Sequence, residues 1–178
     1  MPCNPHIGGS AKGIVVREID ALGGLMAIAA DHRPLQMKML NTGKGPGVQC
    51  LRSQQDKKGY PAFIQSLLDQ TPNLTIIEEE VKDLLYDDKR VYGVVLSSKK
   101  TLNAKAVILT TGTYMNGRII SGRDVFEGGP DGEKPSKGLS ESLQKMGIEL
   151  IRLKTGTPPR LKASTIDFSK GEIQEGSH

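Results

Sequence analysis

Eleven residues near the start of the chain, "CNPHIGGSAKG" at 3–13, hold a thiol, a glycine pair and a lysine beside a third glycine. Such types so close together suit either anion binding or thiolate chemistry. "GGSAKG" approaches the triphosphate-loop pattern G-x-x-x-x-G-K-[ST] but misses it twice. Lys12 precedes Gly13 instead of following a glycine, and Ile14 stands where a hydroxyl would hold magnesium. No strand is expected before it either. A glycine turn entering a helix still offers free N–H groups and a positive dipole end to an anion. A plain loop-to-helix turn fits the pattern equally. Cys3 near that helix start and Lys12 would have a depressed pKa, which favours the thiolate; a small buried thiol is the alternative. No His-Asp partner set and no metal cluster accompanies it.

Three other stretches carry polar chemistry. "NTGKGPG" (41–47) is not G-x-G-x-x-G, and the dinucleotide fingerprint is absent from the chain. "VILTTGT" (107–113) puts Thr111 and Gly112 just after an apolar run, the place where open α/β sheets bind ligands. "RLKTGTPPRLK" (152–162) carries Arg152, Lys154, Arg160 and Lys162, a basic loop suited to phosphate contacts or to a solvated face.

The elements that must position these groups follow from periodicity. Residues 14–30 predict a helix with Val15, Ile19 and Leu22 inward, broken at Gly23-Gly24. Residues 35–39 alternate as a strand. Residues 52–70 predict a helix with Tyr60, Phe63, Ile64, Leu67 and Leu68 on one face, its regular arc resuming at Pro61. Residues 73–81 form a short β-rich run, and 81–98 predict a hairpin turning at Asp87-Asp88-Lys89. Ala106–Leu109 is a continuous apolar stretch, expected as a strand buried on both faces. Residues 121–138 predict loop, and 136–147 a helix capped at Ser136 or Ser140. Pro158-Pro159 rules out helix in the tail. The succession is mixed α/β.

Bulk composition bounds the rest. At 178 residues the chain suits one ordinary domain, and aromatics at 4% make the core mostly aliphatic. Two cysteines without a secretory segment fit a reducing cytoplasm. No apolar run approaches the ~20 residues that span a bilayer. A net charge of +4 hints only weakly at an anionic partner.

The motifs occur in a distinctive order: "CNPHIGGSAKG", "VREIDALGGLM", "MLNTGKGPG", Arg52-x-Gln54, "AKAVILTTGTYMNG" and "RLKTGTPPRL…TIDFSK". In that order they resemble the MnmG (GidA) family of tRNA uridine-modifying flavoproteins over nearly the whole chain. Gly47 stands for a usual Ala, and Met37-Lys38 for a common Phe-Arg. The resemblance implies part of a Rossmann-like FAD-binding domain of the glutathione-reductase type, with a β-hairpin or meander insertion. Residues 31–60 and 115–178 would contribute to the substrate and flavin side. The G-x-G-x-x-G βαβ unit is expected upstream of Cys3. An NADH-binding segment and a helical region for MnmE and tRNA are expected beyond "IDFSK". The chain then reads as an internal fragment, inactive alone. Strands at 74–80 and 106–111 would belong to the parallel sheet without pairing each other.

The family's chemistry uses FAD, NADH and methylene-tetrahydrofolate to install a (carboxymethyl)aminomethyl group at C5 of the wobble uridine. It works with the GTPase MnmE as a homodimer in the bacterial cytoplasm, with no membrane and no metal. Carried over, Cys3 is the catalytic thiol. Asn4, Pro5, Gly8 and Gly9 form the flavin-side turn, with Val81, Thr111, Gly112 and Ser136 as further FAD contacts. Lys154 and Arg160 face tRNA or flavin. Another FAD or NAD(P) oxidoreductase of the same fold, or a non-enzymatic remnant, are the competing readings.

Overall fold

The computed structural model describes residues 4–177. The chain forms two compact units. One runs through Leu74 and resumes at Gly156; the other spans Thr75–Thr155.

The first unit contains β1 (His6–Gly8), α1 (Lys12–Ala21), α2 (Leu25–His32), β2 (Pro34–Leu40), β3 (Cys50–Gln55) and α3 (Gly59–Asp69). Its sheet has the order β1-β3-β2, antiparallel throughout. Ile7, Val16, Ala29, Ala30 and Tyr60 are buried together, with Met26, Ala27, Phe63 and Ile64 packed on them. The alanines keep α2 slim where buried Gln55 reaches it, its Nε2 donating to the Ala30 carbonyl at 3.0 Å. The His32 and Phe63 rings stack with centroids 3.8 Å apart.

The break after α1 is a Schellman cap, in which Gly23 N–H donates to Asp20 O and Gly24 N–H to Ile19 O. Gly23 is at φ +82°, and a Cβ on Gly24 would overlap the Ile19 side chain. The inward line of α1 is one residue off the expected one. Val16 is buried, Val15 is exposed, and Leu22, already in the cap, is 90% exposed. The helix expected over 52–70 loses its first residues to β3. Asp56 separates strand from helix, its carboxylate accepting the Lys58 and Gly59 N–H groups at 2.8 and 2.6 Å.

The second unit contains β4 (Val81–Tyr86), β5 (Val91–Leu96), β6 (Thr101–Asn103), β7 (Arg118–Ser121), β8 (Asp124–Glu127) and α4 (Leu139–Lys145). β4-β5-β6 is an antiparallel meander, and β7-β8 a separate hairpin. The turn between β4 and β5 falls at the expected place. The Asp87 carboxylate accepts the Lys89 and Arg90 N–H groups there. α4 lies on β4 with Leu84, Leu139 and Leu143 buried between them. Buried Ser142 accepts the Leu84 N–H at 3.2 Å.

Four expectations are corrected here. Ala106–Leu109 is not a strand; Val107 packs on the core while Ile108 is 86% exposed. An apolar run becomes a strand only where a neighbour completes its ladder, and none does so here among the described residues. For the same reason 74–80 is not a strand; that no ladder joins it to 106–111 among the described residues agrees with the expectation. Residues 121–138, expected as loop, include β8, which pairs with β7 in a hairpin hidden by its glycine and charge content. α4 is not capped by Ser136 or Ser140. Gly138 takes the cap position at φ +103°, and Glu141 Oε2 accepts its N–H at 3.1 Å.

Candidate functional site

The 3–13 stretch opens the first unit. Contrary to the expectation that no strand precedes the turn, β1 does. It is only three residues long and pairs with β3, which the helical reading of 52–70 concealed. The path is therefore strand, Gly8-Gly9-Ser10-Ala11 turn, then α1. Gly8 and Gly9 have φ of +95° and +99°, where side chains are disfavoured. Cys3 lies outside the described residues.

The turn is held mainly from β3. Gln54 Nε2 donates to Asn4 Oδ1 at 3.2 Å and to the Pro5 carbonyl at 3.0 Å. The Gln55 N–H donates to the same carbonyl at 2.7 Å. Lys12 Nζ folds back to the His6 carbonyl at 2.9 Å. Burial lowers the Lys12 pKa. The His6 pKa is lowered by burial first, then by the charges of Arg52 and Lys12, against a hydrogen bond to Asn4 that raises it. Arg52 and Lys12 thus place positive charge near His6. Cys50, unassigned from sequence, is buried with Sγ 3.8 Å from Ser10 Oγ.

A second group forms in the other unit. Val81 opens β4, half-buried. Glu80 beside it accepts the Lys137 N–H at 3.3 Å, pairs with Lys82 at 2.7 Å and bonds Ser136. These contacts, Lys82 first, lower the Glu80 pKa. The Ser136 backbone exchanges hydrogen bonds with Tyr114 and Asn116, at 2.9 and 2.8 Å. The Tyr114 N–H reaches the Thr111 carbonyl at 3.4 Å across Gly112, itself at φ +59°. Val81, Thr111, Gly112 and Ser136, 55 positions apart in sequence from first to last, so share one neighbourhood. Glu80, Tyr114 and Asn116 were not singled out from sequence; only their closeness to the named residues could have suggested them.

Lys154 falls in the second unit and Arg160 in the first, both exposed. Among the described residues no three His, Cys, Asp or Glu side chains are placed to hold a metal. No helix there is long and apolar enough to cross a membrane.

The mixed α/β chain, with a glycine turn in one unit and the Val81–Ser136 group in the other, fits part of a Rossmann-like domain, although the ladders of its named strands are all antiparallel. The chain belongs to the family described as Glucose inhibited division protein A (GIDA), which matches residues 1–178. It is 52% identical over 176 residues to the tRNA uridine 5-carboxymethylaminomethyl modification enzyme MnmG of Bacillus subtilis (strain 168), covering 99% of this chain and 28% of that protein. The enzyme of the same name from Caldicellulosiruptor saccharolyticus is matched to the same extent. Among solved structures, Aquifex aeolicus GidA in its form I crystal superposes with a TM-score of 0.91 at 48% identity, over 99% of this chain and 30% of that one. The chain thus spans less than a third of the length of these relatives.

Proposed function

We propose that the chain is part of an FAD-dependent enzyme that installs a (carboxymethyl)aminomethyl group at C5 of the wobble uridine of tRNA. NADH and methylene-tetrahydrofolate are its co-substrates, and the GTPase MnmE its partner. The activity belongs to the whole protein, a cytoplasmic homodimer in this reading, and not to these 178 residues alone. Identity of 52% with named MnmG enzymes across nearly the full chain carries the reading.

The residues present fit the flavin nucleotide. The Val81 main chain, the Ser136 hydroxyl and the Gly112 turn supply hydrogen-bonding groups in one place. The Asn4–Gly9 turn offers a hydrogen-bonded surface with Lys12 and Arg52 nearby. Bound FAD would supply hydride and electron chemistry. Cys3 would supply the thiolate. Lys154 and Arg160 would meet tRNA phosphates. The β4–β6 meander would be an insertion in the FAD-binding domain, and residues 31–60 and 115–178 would form its substrate side.

The test is replacement of MnmG, in a bacterium that depends on it, by the whole protein carrying this sequence. Mass spectrometry of tRNA nucleosides should show the modified wobble uridine restored. A folded, flavin-loaded replacement that leaves the uridine unmodified would refute the reading.

A further inference from the structure

One face of the first unit's sheet carries Gln54, which anchors the glycine turn, beside groups not yet considered. Register sets Lys38 of β2 opposite Arg52 of β3, and Gln36 opposite Gln54. Directly opposed residues of an antiparallel pair project to the same side. The four side chains therefore form a block of two cations and two amides. A cavity of about 230 Å³ lies over it, lined by these four with Leu40 and Gln174.

The cavity is rich in donors and short of negative charge. Arg52 Nη2 donates to Gln54 Oε1 at 3.1 Å, while Arg52 Nε is buried with no hydrogen-bond partner. Lys38 Nζ donates to Gln174 Oε1 at 2.8 Å, and Gln36 Nε2 to the Gln174 carbonyl at 2.7 Å. All these partners are neutral. Among the described residues neither cation has a carboxylate within ion-pair distance. Facing like charges repel, and a buried unmet donor is costly. An anion in the cavity relieves the repulsion between Lys38 and Arg52.

We propose that this cradle binds an oxyanion group, phosphate or carboxylate, between the Arg52 guanidinium and Lys38, beside the amide of Gln36. The guanidinium fork matches two oxygens of either group. The space lies below the ~300–1,000 Å³ of drug-sized ligand pockets. It therefore takes the charged end of a ligand and not a whole nucleotide.

The experiment titrates the whole chain, 15N-labelled, with inorganic phosphate and separately with glutarate at constant ionic strength, chloride serving as control. The readout is the Arg52 Nε–H resonance. A saturable shift is expected with at least one probe and none with chloride. Saturation by phosphate alone assigns a phosphoryl group, by glutarate alone a carboxylate, and by both the shared chemistry. Arg52→Lys should weaken binding about tenfold, the loss of one charge-assisted hydrogen bond. Backbone amide shifts, which both variants retain, should show binding abolished in Arg52→Met. Should that variant not fold, Lys38→Met on the edge strand takes its place. Failure of both probes to saturate, or wild-type binding by the variant, overturns the proposal. tRNA modification is measured separately, so the fate of that reading remains distinguishable.

Discussion

Gly8 lies against the carbonyl oxygen of Leu51 so closely that a Cβ at Gly8 would overlap it, while the next N–H, of Gly9, donates to that same oxygen at 3.0 Å. One carbonyl of β3 thus fixes both the position and the left-handed path of the turn. Gly8→Ala should lower stability by more than the ~1–3 kcal/mol that a disfavoured φ alone costs. Gly9→Ala, with open space around its Cβ, should stay within that range. Urea unfolding of the two variants checks the order; equal losses would mean that Leu51 yields.

Leu143→Ala should destabilise the chain by about 2–5 kcal/mol, the range for emptying a buried leucine site. It removes the middle of the contact between α4 and β4. Hydrogen exchange should show the loss at β4 and α4, and little at α3. A uniform change in both units would refute a local core.

Stability should fall on the acid side in two stages. The folded His6 pKa lies below its ordinary 6.5, so the unfolded chain takes up its proton first. Its contribution is complete above pH ~6.5 and is lost as pH falls toward the folded value. Asp56 and Asp87 are held below the ordinary carboxylate range, chiefly by backbone N–H groups. Their contribution is complete above their unfolded values and disappears as pH falls through the folded ones. Both aspartates are exposed, so this second stage is screened by salt. His6→Gln should flatten the first stage and leave the second. Urea midpoints across pH 8 to 3 test this, and an unchanged first stage in the variant would exclude His6 as its source.

In the whole enzyme, Cys3→Ser should sharply reduce tRNA modification while leaving fold and flavin content near normal. A hydroxyl lacks the nucleophilicity that a thiolate would supply. Nucleoside mass spectrometry and flavin absorbance read the two quantities. Normal modification would make the thiol structural.

Replacing Lys154 and Arg160 with Ala in the whole enzyme should weaken tRNA binding and flatten its salt dependence, by a slope change of roughly one to two. Filter binding across a salt series measures it. An unchanged slope would assign both residues to flavin contact or packing.

What sequence revealed depended on how local the determinant was. The Asp87 turn and the Gly23-Gly24 break are set by residues adjacent to them, and both are in place. The strand β3 was missed because Arg52 and Gln54 gain their β character from β1 and β2 on either side. β7 and β8 were missed because Gly122 and surrounding charges look like loop in isolation. Arg52-x-Gln54 was legible as a motif, and its two-residue spacing put both on one face once the strand was known. The grouping of Val81 with Ser136 was not legible from spacing, since it depends on the chain returning from α4's entrance to β4. The resemblance named those two residues individually.

The hydrogen bonds from Gln36 and Lys38 to Gln174 join residues 138 and 136 positions apart. Between them the ribosome must make about 136 residues, the whole second unit among them, roughly 7–27 s of synthesis at ~5–20 residues per second. During that interval β2 waits as a bare sheet margin, open to pairing with any extended chain nearby. The nascent protein therefore passes through a period of exposure that the finished one does not show. A chaperone that shields extended segments would act there, before the tail arrives to cover the strand.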